Sequence, residues 1–555
     1  MRYLIRNGMI ADGTGKDCFA GSVLTQDNKI EAVFPGRDNA QAMAAAQNAQ
    51  VVDAQGGYIT PGFIDIHRHG DWKALERGDD ELLCRQGITS VVNGNCGLSA
   101  APQGGAHEEE TEHFLRSFIG AKPQTAARAD EAEGALPEDP AYSMETYLSC
   151  LGRVKRNVHT GMLVGGGTVR AGVAGYGSQP LTEDEEEQIR QRIVQSLDAG
   201  ALGVSLGMGY EPEYAYDEAG LVRVLEPLRG RDIPVAVHIR TEGDGSDKAV
   251  EEMIRVCRAL DVPLHLSHMK CIGKRNWRVT CERELELVRK AREEGLDVTM
   301  DTYPYITGST QLVHLIPPGF QSKGTQALLE YLSDPSVRRQ ITEQLKRPSG
   351  EFENIVELAG FENIAVTGVK SSGFAPHEGR TILEIAGERN QDPYDALYDI
   401  LLAERCECAM LDTYGCEEDL IDFLKDETCS LISDAIYPEG GHCHPRVYDS
   451  FPRFLIRYVR EKQVFTIEEA IRKMTALPAA VYHLDRGTLE PGKEADVCVF
   501  HLENLKSHAD FSHPERMCTG FDYVFTAGVP VVTQDRWTGE RAGNLLLPRS
   551  GQNRM

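Results

Sequence analysis

The chain has 555 residues, 41% of them apolar, and its 58 basic against 85 acidic residues leave a formal net charge of −27. Such a balance repels a phosphate backbone, which excludes nucleic acid as a partner. The apolar runs stop well short of the roughly 18 residues a membrane helix needs, and MRYLIRNGMI lacks the apolar centre of a secretory signal, so a cytoplasmic protein with no membrane contact is expected.

Residues 1–60 carry short alternating runs, RYLIRNGMIADG and NKIEAV, broken by Gly, Asp and Asn as antiparallel strands are. Residues 487–555 read the same way, in GTLEPGKEADVCVF and FDYVFTAGVPVVTQD. The two ends are expected to build one small β-sandwich domain.

Residues 61–486 read differently. Short apolar runs, among them TSVVNGNC, IPVAVHIR, VPLHLSHMK and LDVTMDTYPY, alternate with amphipathic stretches, as parallel strands buried on both faces do. In LTEDEEEQIRQRIVQSLDAG, Thr182 caps a helix, Glu185 closes a capping box, and Ile189, Ile193, Val194 and Leu197 share a face. DPYDALYDILLAE starts with Asp392 as cap and Pro393 in the first turn. Repeated strand and helix at this length predicts an α/β fold, a (β/α)8 TIM-like barrel beside the terminal sandwich. The acidic stretch from about 103 to 141, with HEEETEH and DEAEGALPEDP, is expected to be a solvated loop inserted after the second strand.

Catalytic groups of such a barrel sit at the carboxyl ends of its strands. In PGFIDIHRHGD, His67 and His69 lie two apart and so lean to one face, with Arg68 pointing away. The other runs end at Cys96, His238, His268 and Asp434. Imidazole and thiolate suit zinc, and a set that leaves room for water makes a catalytic site. The remaining cysteines of the 14 are scattered through the chain, which favours reduced thiols.

PGFIDIHRHGD, GITSVVNGNCGLSAAP, GVSLGMGYEPEYAY, VHIRTEGDG, HLSHMKCIG, DTYPYITGST, SDAIYPEGGHCHPR and RGTLEPGKEADVCVF together resemble the N-acyl-D-amino-acid deacylases (D-aminoacylases) of the amidohydrolase superfamily, over residues 1 to about 545. The resemblance implies that Cys96, His238 and His268 hold a tight zinc. It implies a second, weaker site at His67 and His69 that shares the Cys96 sulfur, in place of the carboxylated-lysine bridge of other amidohydrolases. Asp434 becomes the general acid/base.

Amide chemistry supports those roles. Zinc lowers the pKa of bound water toward about 7 and polarises the carbonyl, and one carboxylate can take a proton from the water and return it to the leaving nitrogen. Lys270, Arg446 and Tyr303 cluster near the same mouth, and a free α-carboxylate is their natural target. In the family, groups at these positions bind that carboxylate, with Tyr210 nearby. A small-molecule N-acylated D-amino acid is the implied substrate.

The chain reads SDA where SDG is usual, places Arg68 between the histidines, and has Gly166 where relatives often carry a histidine. Ala435 and Gly166 are expected to reshape the substrate pocket. Two rivals share the fold. A hydantoinase- or dihydroorotase-like cyclic-amide hydrolase needs a strand-end lysine that GVSLGMGY does not supply, and an inactive scaffold has no use for six strand-end groups.

Overall fold

The computed structural model describes residues 1–36, 40–76, 78–123, 139, 141–176, 179–350, 352–437 and 441–549. The chain starts with β1 (Arg2–Ile10), β2 (Phe19–Gln26), β3 (Lys29–Pro35), β4 (Gln50–Asp53) and β5 (Tyr58–Pro61). It then enters a run of parallel strands: β6 (Phe63–Arg68), β7 (Ile88–Asn93), β8 (His159–Met162), β9 (Val164–Gly165), β10 (Val204–Gly207), β11 (Val235–His238), β12 (Leu264–Leu266) and β13 (Val298–Thr302). Three further strands, β14 (Thr307–Gln311), β15 (Ile364–Thr367) and β16 (Ala409–Thr413), precede the last parallel one, β17 (Cys429–Leu431).

Pairing makes these strands a barrel. β6, β7 and β8 form one ladder, and β9 through β13 with β17 form another. β8 passes into β9 across Leu163 alone, and the Leu163 N–H donates to the Asn93 carbonyl at 2.9 Å, so the two ladders are continuous. The ring closes where Arg68 bridges Ala435 in parallel, the Asp434 N–H donates to the His67 carbonyl at 2.9 Å, and the His69 N–H donates to the Ala435 carbonyl at 2.8 Å. Closure therefore runs through the candidate site itself. It leaves no open sheet edge there and fixes where these backbones lie.

The helix Glu183–Ala199 has the capping box of Thr182 and Glu185 and buries Ile189, Ile193 and Leu197. Pro393–Ala403 is capped by Asp392 with Pro393 in its first turn, but it does not belong to a barrel unit. It packs in a separate unit inserted between β13 and β17. There β14, β16 and β15 form an antiparallel sheet over a core that includes Leu312, Leu328, Ile364, Leu397 and Met410.

The acidic insert also differs from expectation. HEEETEH opens a helix, Glu108–Ile119, that buries Leu115, Phe118 and Ile119 while its glutamates face outward. DEAEGALPEDP lies largely outside the described residues.

β18 (Val497–Phe500), β19 (Phe521–Thr526), β20 (Val529–Thr533) and β21 (Arg536–Trp537) join the N-terminal strands in one nine-stranded sheet, with β18 on β5 and β5 on β1. Three ladder steps separate β19 from β1, about 14 Å on a flat sheet. The Tyr3 and Phe525 rings on those strands are nevertheless 5.2 Å apart, so the sheet folds over its own core of Ile5, Val23, Val497 and Phe525. Its outer face meets the barrel at Phe63, which packs on Phe500 and Phe521. Among the described residues no helix is long and apolar enough to cross a membrane, and the 14 cysteines are free thiols.

Candidate metal centre

His67, His69, Cys96, His238, His268 and Asp434 meet at the carboxyl end of the barrel, and all are buried. Strand alternation delivers the first two as expected. Arg68, between them, turns to the other face and is held by Asp65 at 3.2 Å and Asp79 at 3.0 Å. Cys96, His268 and Asp434 lie just past their strands with φ of 54°, 37° and 50°. That left-handed region is costly for residues with a Cβ, and such strain gathers where a site needs a side chain aimed inward.

The Cys96 Sγ lies 3.2 Å from His67 Nε2 and 3.2 Å from His268 Nε2, and His238 Nδ1 lies 3.0 Å from His268 Nε2. Donor atoms around a tetrahedral zinc, at bonds of about 2.0–2.3 Å, stand roughly 3.3–3.8 Å apart. These three pairs are close to that spacing, and the donors of His67, Cys96 and His268 lie within reach of one ion, as do those of His238, Glu242 and His268. Nitrogen and sulfur have the softness zinc prefers, so these residues fit the metal. The sulfur is equidistant from His67 and His268. His69 Nε2 and His67 Nε2 also approach Asp434 Oδ1, at 3.4 and 3.6 Å.

Burial disfavours a thiolate, but His67 and His268 outweigh it and hold Cys96 well below the usual thiol value. Burial likewise opposes ionisation of Asp434, yet Arg446 and the His69 hydrogen bond keep it well below the carboxylate range.

Two carboxylates escape strand-end reasoning. Glu242 Oε1 lies 2.8 Å from His268 Nδ1 and 2.5 Å from Lys270 Nζ. Lys270 Nζ also stands 2.7 Å from the same Nδ1. Glu242 is the partner consistent with metal binding, because an Nδ1–H donated to it frees Nε2 as a ligand. Asp301 Oδ2 faces His67 Nδ1 at 3.4 Å and His265 Nε2 at 2.8 Å, and its other oxygen accepts the His268 N–H. A metal-bound histidine needs an acceptor on its second nitrogen, and that rule points to TEGDG and MDTYPY.

A cavity opens over the cluster. Lys270, Tyr303, Arg446 and Tyr210 line it. The Tyr303 ring lies between the two cations, 5.6 Å from Lys270 Nζ and 4.6 Å from the Arg446 guanidinium, and its hydroxyl hydrogen-bonds that of Tyr414. Arg446 donates to the Ser309 carbonyl at 3.2 Å, but its buried Nε and Nη1 have no hydrogen-bond partner among the described residues. Tyr210 packs against His238, rings 4.6 Å apart, and its hydroxyl meets Thr310 at 3.1 Å. Phe118, from the acidic helix, supplies a wall.

Ala435 and Gly166 do not line this cavity. Ala435 packs in the core that holds Phe63 and Phe451. A Cβ at Gly166 would stand 2.5 Å from the buried Glu213 carboxyl, which fills that space. Both positions thus pack behind the cavity and form no part of its described lining.

The amidohydrolase family model matches residues 50–312 and 428–532, and the gap between them falls on the inserted unit. A D-aminoacylase from Alcaligenes xylosoxydans xylosoxydans is 30% identical over 547 residues, 98% of this chain and 97% of that one. An N-acyl-D-glutamate deacylase from the same organism is also 30% identical, over 96% of this chain and 93% of its own length. The crystal structure of an N-acyl-D-glutamate deacylase from Bordetella bronchiseptica, with zinc and a phosphonate mimic of the tetrahedral intermediate, superposes at a TM-score of 0.78. It is 27% identical, over 98% of this chain and 99% of that one.

Proposed function

The chain belongs to the N-acyl-D-amino-acid deacylase family of the amidohydrolases, and on that premise we propose that it hydrolyses the amide bond of N-acyl-D-amino acids to a carboxylate and a free D-amino acid with zinc as its metal. One observation carries the reading. Asp434 stands in one cavity between the imidazole cluster, 3.4 Å from His69, and Arg446, 3.0 Å away.

Cys96, His238 and His268 would hold the tighter zinc, and His67 and His69, with the Cys96 sulfur, would make up a second, weaker site. Zinc bound there supplies water activated near neutral pH and polarisation of the acyl carbonyl. Glu242 holds His268 in the tautomer that presents Nε2, and Asp301 faces His67 Nδ1 from 3.4 Å away. Asp434 is ionised, so it accepts the proton of the attacking water and returns it to the departing nitrogen. The unspent donors of Arg446, with Lys270 across the Tyr303 ring, hold the α-carboxylate, and Tyr210 bounds the pocket. With the carbonyl, the nitrogen and the carboxylate placed, one hand of the α-carbon fits, and the family assigns D.

A cyclic-amide hydrolase with a carbamate bridge is disfavoured. β10 ends at Gly207, where a Cβ would stand 2.1 Å from the Cys96 carbonyl oxygen, so no lysine fits beside this cysteine. The test compares an N-acetyl-D-amino acid with its α-carboxamide on the zinc-loaded protein. Amine release from the acid alone supports the reading, and equal release from the carboxamide removes the carboxylate clamp.

A further inference from the structure

The inserted unit supplies the cavity wall away from the imidazoles. Asp412, on β16, is 3% exposed and lines the cavity. Its register partner on β14 is Gly308, where a Cβ would lie 2.7 Å from the Tyr414 ring and 2.8 Å from Asp412 Oδ1, so only a glycine leaves room for that carboxyl at the cavity wall. Among the described residues no hydrogen bond or ion pair reaches that carboxyl; Glu353 and Glu242 act on it as like charges and Lys270 and Arg446 as opposite ones. A buried carboxyl without a partner costs several kcal/mol if ionised, and a fold retains one where a ligand completes it.

The surroundings specify the ligand. Glu353 lies in the same wall, with one oxygen accepting the Glu242 N–H at 2.5 Å and the other 3.5 Å from His314 Nε2. Lys270 and Arg446 are the lysine and arginine of the described lining, and each already faces a carboxylate, Glu242 at 2.5 Å and Asp434 at 3.0 Å. Their remaining donors are taken up by the α-carboxylate. The wall beyond them carries the carboxyls of Asp412 and Glu353 and the imidazole of His314. Arg446 also donates to the Ser309 carbonyl, one residue from Gly308, which ties this wall to the clamp.

We propose that Asp412, backed by Glu353, is the side-chain subsite and selects N-acyl-D-amino acids whose side chain ends in a cation, such as D-arginine or D-lysine. A guanidinium or ammonium there pairs with a carboxyl that has no other partner and draws it into its ionised form against the burial that pushes its pKa up to about 8, while a side-chain carboxylate brings no charge to do so. The inference rests on the deacylase reading and adds the side chain to it.

The experiment measures kcat/KM of the zinc-loaded enzyme for N-acetyl-D-arginine, N-acetyl-D-leucine and N-acetyl-D-glutamate, in wild type and Asp412→Asn. Arginine is expected to exceed leucine by about 10-fold and glutamate by about 100-fold, and Asp412→Asn to lower the arginine-to-leucine ratio by about 10-fold or more. A wild-type preference for leucine or glutamate, or a ratio that Asp412→Asn leaves unchanged, overturns the subsite. If the variant does not fold, competitive inhibition of the wild type decides. Free D-arginine should inhibit about 10-fold more tightly than free D-leucine, and equal inhibition overturns the subsite. Failure to cleave any of the three substrates instead overturns the deacylase reading.

Discussion

The guanidinium of Arg446 stands 3.0 Å from the Asp434 carboxylate, with both groups buried. One cation therefore keeps Asp434, the proposed general base, ionised and still has donors for a substrate carboxylate, because Nη1 is not aligned to hydrogen-bond Asp434 and Nε has no partner. Arg446→Met should lower kcat/KM by roughly 2 to 5 kcal/mol, since the substrate carboxylate and Asp434 both lose a charged neighbour. Steady-state kinetics should show kcat falling as well as KM rising. A change in KM alone would confine Arg446 to binding.

Asp434→Asn keeps the shape of the side chain and removes its ability to take a proton. The rate constant should fall by about 10² to 10⁴, with zinc content unchanged, as read by single-turnover kinetics and metal analysis. Near-normal turnover would remove Asp434 from proton transfer.

The proposed sharing of the Cys96 sulfur would make the two metal sites unequal in their response. Cys96→Ala or His238→Ala should strip zinc from the purified protein, whereas His67→Ala should leave about one equivalent. Metal analysis after dialysis reads all three, and a full complement in Cys96→Ala would contradict the assignment.

Much of this site is legible in the chain because parallel strands buried on both faces read as apolar runs, which locate His67, His69, Cys96, His238 and His268 at their ends. Glu242 is less visible. It lies four residues past His238 in a loop, and no periodicity places its carboxylate beneath His268. The inserted unit is hidden for a different reason. A well-capped helix such as Pro393–Ala403 looks the same whether it covers a barrel or packs on a separate sheet, so Asp412 and Glu353 come into view only through the tertiary fold. In HEEETEH the outward glutamates mask the apolar face that carries Phe118 into the cavity wall.

Acid should loosen the joint between the barrel and the terminal sheet. Asp496 lies 3.0 Å from His159 and 2.7 Å from Arg486 and accepts the Ala527 N–H at 2.9 Å. Burial opposes its ionisation, but His159 and Arg486 win and lower its pKa to about 2. A carboxylate with a depressed folded value stabilises the fold above its ordinary value near 4, and that stability is lost as pH falls toward about 2. The loss should be on the order of 2 kcal/mol over that window, read from denaturant midpoints. Asp496→Asn should start less stable at neutral pH and show a shallower fall between about pH 4 and pH 2. Identical slopes would place the acid response elsewhere.

The account stands most directly on handedness. Matched pairs of N-acetyl-D- and N-acetyl-L-amino acids, with the zinc-loaded enzyme and free amine as the readout, put the carbonyl, the nitrogen and the carboxylate in competition for the same three anchor points. The predicted result is hydrolysis of the D member of each pair at least about 100-fold faster in kcat/KM than the L member. Equal rates on the two enantiomers would contradict it.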